Sequence, residues 1–399
     1  RAEGLHSVPG VEISGERPAE DAAATSANTP AADILASVID VVRPVVGDAV
    51  DEDADAALMT LGLDSLALTA IRGRLQQAFG RAVPLAWFAA GASLRSIAAF
   101  YSDGVVPSQG DTPAVPAPVT AAIMPMPSVR EPSGHVLTLR DGSGPLVALI
   151  HPVGGDVLCY GELAAAWPGD ARILGVRHPE AETGGVRYRT HSELAKLYRR
   201  AVLEAAGRVP DIVGGWSFGG AVAQEMTAQW EEEGARIAGL VAIDGPLPDG
   251  VYARRIRRLV DSVGRAENDG VLDRMIAHPE FQAVFSEQHG LGRLRAIADP
   301  ATVERVFRIH AANVAALAGH RPRPVRAPLS YALALRSENA GSSEAAARPL
   351  EALSGGPLRI LGFDSDHFSI MQSPAIEAVA GFLGAAAKQI VQPVPLVAE

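Results

Sequence analysis

The strongest local signal in this chain is the segment Asp211-Ile212-Val213-Gly214-Gly215-Trp216-Ser217-Phe218-Gly219-Gly220-Ala221-Val222-Ala223. An apolar run with strand character leads into Gly-x-Ser-x-Gly, and a run of small residues with helical character follows it. A serine in this setting sits on a sharp, strained turn, where only small neighbours such as Gly215 and Gly219 clear the backbone. The following helix would direct its positive end at the hydroxyl. The segment therefore predicts that Ser217 is a nucleophile, and the alternative interpretation is an ordinary N-cap serine.

The alternation of strand and helix continues on both sides of this segment. Short apolar runs predict buried strands at 146–150, 172–176, 211–215, 240–244, 329–335 and 358–363. Amphipathic stretches predict helices at 192–206, 219–233 and 374–387. Buried strands that alternate with helices are typical of an α/β fold with a mostly parallel sheet covered on both faces. Residues 246–326 are too many for a simple crossover between two strands, so they predict an inserted helical lid.

A nucleophilic serine needs a base and a group that orients the base. In a sheet of this kind the acid and then the histidine follow the serine along the chain. Asp244 ends an apolar run, and His367 lies in the loop after the last predicted strand, so both fall at the carboxyl edge, where open α/β sheets place their sites. We predict a catalytic triad of Ser217, Asp244 and His367, with Glu338 as the alternative acid.

The loop after the strand predicted at 146–150 reads His151-Pro152-Val153-Gly154-Gly155. Its glycines let the backbone turn N–H groups toward a bound carbonyl. We predict an oxyanion hole made by the backbone N–H groups of Val153 and Phe218. His151 is expected to order this loop by hydrogen bonds, and Cys159 is expected to pack in the following helix rather than to act as a nucleophile.

The pattern along the chain predicts two domains joined by a linker. Residues 1–30 are polar and aperiodic, and 31–103 carry helical periodicity that predicts a small bundle, in which Pro44 should end or kink the first helix. Residues 104–133 hold seven prolines and predict a semi-extended linker. The second domain is predicted at 134–390, and a short C-terminal tail follows it at 391–399.

A second motif, Leu61-Gly62-Leu63-Asp64-Ser65-Leu66, precedes an amphipathic helix in the first domain. Taken alone, Ser65 reads as a helix N-cap. A phosphate attached to a serine at this place would also be stabilised by the helix dipole and by free N–H groups. The motif therefore marks Ser65 as a candidate for modification.

These motifs carry a resemblance to a known pair of domains. Residues 31–103 resemble an acyl or peptidyl carrier domain of polyketide and nonribosomal peptide synthases, with the family motif at 61–66. Residues 134–390 resemble the type I thioesterase that follows the last carrier. The matching residues are His151-Pro152-x-Gly154-Gly155, Gly215-Trp216-Ser217-Phe218-Gly219-Gly220, Asp244 and Asp366-His367-Phe368.

The resemblance implies a small four-helix-bundle carrier followed by an α/β-hydrolase fold with an inserted helical lid. It also implies a 4′-phosphopantetheine bound covalently to Ser65, upstream synthase modules, a phosphopantetheinyl transferase that loads the arm, and an acyl or peptidyl thioester substrate. The implied activity is chain release by a serine thioesterase, through hydrolysis or cyclisation. Two alternatives stay open: a non-catalytic docking module fused to a carrier, and an editing thioesterase that removes misloaded acyl groups.

Composition excludes several other classes of function. The net charge is −11, with 46 acidic and 35 basic residues, which argues against nucleic acid or an anionic membrane surface as the main partner. The single cysteine leaves no internal disulfide framework and no Cys-rich zinc site. No apolar run reaches 18 residues, and residues 1–30 lack the apolar core of a signal peptide, so we expect a cytoplasmic protein. The arginines at 254–258 predict a solvated helix face, with recognition of an acidic substrate group as the alternative.

Overall fold

The computed structural model describes residues 31–47, 53–58, 65–84, 87–88, 91–102, 135–179, 190–264, 270–283, 297–337 and 343–391. The predicted lead-in at 1–30, the predicted linker at 104–133 and the rival acid Glu338 lie outside these residues. So do residues 392–399 of the predicted tail.

Three helices are described in the N-terminal part: α1 (Ala31–Val46), α2 (Ser65–Phe79) and α3 (Leu94–Ser102). Their apolar faces meet in a shared core that includes Val38, Val42, Ile71, Leu75 and Ile97, each fully buried. We expected Pro44 to end or kink α1. It does not end the helix, which continues to Val46. Pro44 lies so near the end that it costs only one helical hydrogen bond, and the buried side chain of Val45 keeps the last turn packed.

The second part is built on one sheet of seven strands: β1 (Val136–Arg140), β2 (Leu146–Ile150), β3 (Arg172–Val176), β4 (Ile212–Trp216), β5 (Gly239–Ile243), β6 (Leu329–Ala334) and β7 (Leu358–Phe363). The strand order is β1-β3-β2-β4-β5-β6-β7. All neighbours pair in parallel except β1, which runs antiparallel to β3 at the edge. Each of the six predicted strands is present with bounds within one residue, and β1 was missed.

Eight helices accompany this sheet in the described residues: α4 (Gly161–Ala166), α5 (His191–Ala206), α6 (Phe218–Glu232), α7 (Val251–Val263), α8 (Val271–Ala277), α9 (Pro300–Gly319), α10 (Ser343–Glu351) and α11 (Ala375–Val391). Side chains of α4 and α11 pack on one face of the sheet. Those of α5 and α6 pack on the other face. The inner strands β2 to β6 are therefore buried on both sides, as their continuous apolar runs predicted, whereas the edge strands β1 and β7 are only partly buried. None of the helices described here is long and apolar enough to cross a bilayer.

Helices α7, α8 and α9 form an insertion between β5 and β6. The longest of them, α9, starts at Pro300 and is capped by Asp299, whose carboxylate accepts a hydrogen bond from the Thr302 N–H at 3.0 Å. Three arginines of α7 bind residues of the insertion itself. Arg254 and Arg257 both bind Asp249, and Arg255 pairs with Glu280 at 3.6 Å.

Glycine at 219 is required by the close approach of α6 to β2. A Cβ atom there would lie 2.1 Å from the carbonyl oxygen of Ile150, which is backbone and cannot rotate away. We expect Gly219→Ala to lower the free energy of unfolding by about 3 kcal/mol or more, as overpacking against rigid neighbours does. Urea denaturation followed by circular dichroism measures this loss.

The matched control for Gly219→Ala is Gly381→Ala in α11. A Cβ atom at this helical glycine meets nothing within 4 Å. We expect this variant to be as stable as the parent or more stable by up to about 1 kcal/mol, because alanine is the better helix former. Equal stability of the two variants would contradict the close packing of α6 on β2.

Candidate active site

Ser217 occupies the turn between β4 and α6 in a strained backbone conformation, with φ 55° and ψ −127°. Its N–H donates to the carbonyl of Ile243 at the end of β5, at 2.9 Å, which fixes the turn to the sheet. Although Ser217 is the N-cap residue of α6, its side chain makes no capping hydrogen bond. The hydroxyl is therefore not used to cap the helix, which favours the nucleophile interpretation over the N-cap one.

The histidine and the acid predicted from the sequence meet this serine. The Nε2 atom of His367 lies 3.0 Å from the Oγ atom of Ser217, and its Nδ1 atom lies 2.7 Å from the Oδ2 atom of Asp244. The three residues come from three separate strand ends: Ser217 follows β4, Asp244 follows β5 and His367 follows β7. They thus form one hydrogen-bonded chain across the carboxyl edge of the sheet.

The carboxylate of Asp244 is completely buried, and several donors converge on it. Its Oδ1 atom accepts hydrogen bonds from the Ala334 N–H at 3.2 Å and the Ser337 hydroxyl at 3.0 Å, while Oδ2 faces His367. A buried carboxylate is tolerated only when it is hydrogen-bonded in this way. The donors at the end of β6 therefore hold the acid in the orientation that the imidazole meets. Ser337 was not singled out from the sequence.

The position of His367 is fixed by its neighbours on both sides. The indole N–H of Trp216, the residue before the serine, donates to the carbonyl of His367 at 3.0 Å. The Oδ1 atom of Asp366 accepts hydrogen bonds from the N–H groups of Phe368 and Ser369, each at 2.9 Å. The N–H of Ser369, followed by that of Phe368, lowers the pKa of the Asp366 carboxyl, although partial burial opposes this. The loop that carries the imidazole is thus closed into a tight turn.

The two predicted oxyanion donors differ in how they are presented. The N–H of Phe218 belongs to the first turn of α6, where no carbonyl of the helix reaches it. In the described part of the chain, the N–H of Val153 has no hydrogen-bond acceptor. The Pro152 carbonyl, on the same peptide, accepts from the Gly155 N–H at 3.0 Å, and because the peptide is trans the Val153 N–H points the opposite way. Both N–H groups are therefore available to a ligand.

His151 orders this loop as the sequence interpretation expected. Its Nδ1 atom lies 2.5 Å from the Pro152 carbonyl, and its Nε2 atom is hydrogen-bonded to the Tyr198 hydroxyl. Burial lowers the pKa of His151 to about 4, so the ring is neutral near pH 7. Because Nδ1 faces a carbonyl, it carries the proton, and Nε2 accepts from the tyrosine.

Tyr160 is a structural residue of the site that the sequence did not reveal. Its hydroxyl accepts a hydrogen bond from the Trp216 N–H at 2.7 Å and donates to the Ile150 carbonyl at 2.5 Å. This buried side chain therefore ties the end of β2 to the end of β4 just before the serine turn. Burial raises the pKa of Tyr160 well above the usual value, so the hydroxyl keeps its proton.

One other predicted residue, Cys159, is placed differently, and the site of Ser65 is described only in part. Cys159 lies in a 3-10 turn (Leu158–Tyr160) and not in the helix after it, because α4 begins only at Gly161. Burial raises the pKa of its thiol well above the usual value, which disfavours the thiolate. Ser65 is the first residue of α2, but residues 61–64 of its motif and its own side chain lie outside the description.

Further histidines near this loop are buried, and they couple stability to pH. Burial lowers the pKa of His320 to about 4 and that of His178 and His191 well below the usual value. Unfolded histidine titrates near pH 6.5, so the folded chain binds fewer protons than the unfolded chain below that pH. This stability is fully present above pH 6.5 and is lost as the pH falls toward 4.

We therefore expect the free energy of unfolding to fall between pH 6.5 and 4.5, by up to about 3 kcal/mol per buried histidine at the acid end. Urea denaturation at closely spaced pH values measures the slope. His320→Gln removes one of these groups, and we expect a shallower slope for it than for the parent. A parent chain whose unfolding free energy is flat over this range would contradict the prediction.

The residues of this site fall within a region that matches a known protein family. Residues 145–387 match the model of the thioesterase domain. The chain belongs to the thioesterase family. Residues 36–101 match the model of the phosphopantetheine attachment site, so this thioesterase is preceded by a carrier region whose cofactor is 4′-phosphopantetheine. The sheet with its covering helices is an α/β-hydrolase fold.

Several relatives of this thioesterase are synthases. It is 27% identical over 214 residues to the orsellinic acid synthase ArmB of Armillaria ostoyae, which covers 50% of this chain and 10% of that one. It is 31% identical over 125 residues to the thioesterase frbD of Dothideomycetidae sp. (strain 11243), covering 29% of this chain and 44% of that one. The chain thus spans about a tenth of the first relative and less than half of the second.

One solved structure matches this chain at the level of the fold. It is the holo form of a four-domain nonribosomal peptide synthetase bound to AMP and glycine, with 20% sequence identity and a TM-score of 0.50. The match covers 98% of this chain and 27% of the synthetase. At this identity the likeness concerns the fold alone.

Proposed function

We propose that this chain releases a finished acyl or peptidyl chain from a multidomain synthase. The observation that carries the proposal is the hydrogen-bonded chain from Ser217 Oγ through His367 to Asp244, at 3.0 and 2.7 Å. It lies in a thioesterase domain that follows a carrier region on the same polypeptide. The relatives that are polyketide and nonribosomal peptide synthases support this context.

The carrier region fits its cofactor at one point that the structure describes. Ser65 is the first residue of α2, a helix of 15 residues, and the free N–H groups of a helix start favour a bound phosphate. We propose Ser65 as the attachment residue. When bound, 4′-phosphopantetheine supplies the thiol that holds the acyl chain as a thioester.

The first half of the reaction forms an ester on the enzyme. His367 Nε2 accepts the proton of Ser217 as Oγ attacks the thioester carbonyl, and Asp244 stabilises the imidazolium that results. The N–H groups of Val153 and Phe218 bind the oxyanion of the tetrahedral intermediate. When the carbon–sulfur bond breaks, His367 returns the proton to the departing thiol, and the acyl group remains on Ser217.

The second half removes the acyl group. His367 takes a proton from a water molecule, or from a hydroxyl or amine of the acyl chain itself, as that group attacks the ester carbonyl. When the bond between the acyl carbon and Ser217 Oγ breaks, His367 gives the proton to Oγ and the free serine is restored. Hydrolysis and cyclisation thus use the same residues and differ in which nucleophile reaches the ester. We propose that the insertion α7–α9 is the lid that controls this access.

The fused carrier favours chain release over the other interpretations. Because carrier and thioesterase share one polypeptide, the thioester is presented at a high effective concentration, and weak docking suffices. The proposed partners are the upstream synthase modules, which supply the acyl or peptidyl thioester, and a phosphopantetheinyl transferase, which loads Ser65. We propose the cytoplasm as the compartment.

The direct test is to locate the acyl group by mass spectrometry. The full chain is converted to its phosphopantetheine form, loaded with an octanoyl group, and digested at intervals after rapid quenching. We expect the octanoyl mass first on the peptide that contains Ser65 and then on the one that contains Ser217. A Ser65→Ala chain treated in the same way should show neither. Octanoate release without any acyl mass on Ser217 would overturn the acyl-enzyme mechanism.

The same experiment, repeated with an unrelated octanoyl-loaded carrier added, separates the two alternative functions. A docking module would hold the octanoyl group on Ser65 without releasing it. An editing thioesterase would act on an unrelated loaded carrier as fast as on its own. We expect neither, because the tethered carrier should be the preferred donor.

A further inference from the structure

One polar side chain from the insertion reaches the oxyanion loop. Asn313 lies in the second half of α9 and is completely buried. Its Nδ2 atom donates a hydrogen bond to the carbonyl of Val153 at 2.7 Å, across 160 residues of sequence. The residue whose carbonyl is held is also the one whose N–H we assign to the oxyanion hole.

The two peptides that flank Val153 are fixed from different sources. The preceding peptide is held within the loop, because the Pro152 carbonyl binds the Gly155 N–H and His151 Nδ1. The following peptide is held from outside by Asn313. Together these bonds restrict rotation about both backbone bonds of Val153, and so they set the direction of its N–H.

A second contact shows that α9 packs closely on this loop. A Cβ atom on Gly155 would lie 2.9 Å from Cγ2 of Ile309, which is four residues before Asn313 and therefore on the same face of α9. Gly155 has a φ of 89°, a conformation that glycine adopts freely. The helix thus meets the loop at two points about one turn apart.

The chemistry of α9 makes the asparagine unusual. On its own face of α9, Ile309, Ala316 and Leu317 are buried and apolar, and His310 is buried as well. A buried amide in such surroundings is unfavourable unless it is hydrogen-bonded, so an apolar residue would suit the packing alone. The helix instead carries a donor at the position that faces the oxyanion loop.

We propose that Asn313 is a positioning residue that couples the lid helix to the oxyanion hole. The inference rests on the proposed function and adds to it a reason why lid position affects chemistry. With α9 seated, the Val153 N–H is aimed at the oxyanion. When α9 moves away, the bond from Asn313 is lost and the loop can rotate, so an open lid leaves the site with a weakened hole.

The experiment compares variants at position 313 in the full chain, with octanoyl-N-acetylcysteamine thioester as the substrate. Asn313→Leu keeps similar volume and removes the donor. Because the oxyanion exists only after attack, we expect kcat to fall about 10- to 100-fold with little change in KM. We expect affinity for an alkyl trifluoromethyl ketone, which forms an oxyanion on Ser217, to fall by a similar factor. Val314→Ala is the matched control, and it should lose stability without this loss in kcat.

A second variant keeps the inference testable if Asn313→Leu folds poorly. Asn313→Asp has the same shape, and its carboxyl can donate to the Val153 carbonyl only while protonated. We expect its kcat to decline with rising pH over a range where the parent's kcat does not decline. Thermal unfolding at each pH separates this decline from loss of the folded chain.

If the parent turns over the thioester through Ser217 while Asn313→Leu keeps its kcat, or Asn313→Asp follows the parental pH profile, the positioning role is wrong and the proposed function stands. If the parent never acylates Ser217, the proposed function fails and the inference fails with it. A selective loss of kcat and of ketone affinity supports the coupling.

Discussion

Replacing Ser217 by alanine is expected to lower kcat for octanoyl release about 10⁶-fold, the size of loss seen when a triad serine is removed. The Ser217 Oγ atom lies 3.0 Å from His367 Nε2, and alanine leaves that imidazole without a proton to accept. The oxyanion hole would remain and would account for the residual rate over uncatalysed hydrolysis. Release is measured by liquid chromatography of octanoate from the loaded full chain.

Ser262→Ala is the matched serine control. Ser262 lies on α7, and its hydroxyl donates to the Leu259 carbonyl of its own helix at 2.7 Å. We expect kcat within about twofold of the parent, because surface substitutions of this kind have small effects. Undiminished release by Ser217→Ala would instead favour the non-catalytic docking module.

Asp244→Asn is expected to lower kcat about 10⁴-fold, as the same change does in other triads. The donors that face the carboxylate include His367 Nδ1 at 2.7 Å, the Ser337 hydroxyl at 3.0 Å and the Ala334 N–H at 3.2 Å. An amide has one oxygen and one NH₂ group, so it must turn a donor toward at least one of these groups. Turned toward His367, the NH₂ group would favour the tautomer with the proton on Nε2, which cannot accept the proton of the serine.

The control for this change is Asp249→Asn. Asp249 pairs with Arg257 at 2.8 Å on the surface, and its side chain is 79% exposed. The variant loses a carboxylate without touching the triad, so we expect an unchanged kcat. If Asp244→Asn kept nearly full activity while Glu338→Gln lost it, the alternative acid would be the correct one.

The sequence was most informative where function restricts the local backbone. Around Ser217, the strained turn requires small neighbours, and this requirement is visible in the consecutive residues Gly215 to Gly219. The strands β2 to β6 were visible because burial on both faces demands continuous apolar runs, and β7 was visible from its apolar run although it is only partly buried. The edge strand β1 lacks that pattern, since Thr138 and Arg140 interrupt Val-Leu-Thr-Leu-Arg and the strand is only partly buried.

The residues that hold the site residues in place could not be predicted from the sequence, because their hydrogen-bond partners are distant in the chain. Tyr160 meets the Trp216 N–H across 56 residues, Ser337 meets Asp244 across 93, and Asn313 meets Val153 across 160. None of these pairs has a local motif, and each depends on how the sheet and the insertion close around the site. The sequence favoured Asp244 over Glu338 without deciding between them, because both were predicted to follow a strand.

The bond from the Trp216 indole to the His367 carbonyl helps to align the imidazole with Ser217. The indole belongs to Trp216, the residue directly before Ser217. Its bond therefore links the segment that carries Ser217 to the segment that carries His367. The bond joins the loop between β7 and α11 to the end of β4, so it holds the imidazole close to the serine turn. The distance between Ser217 Oγ and His367 Nε2 is therefore set by this bond as well as by the hydrogen bonds of the three site residues themselves.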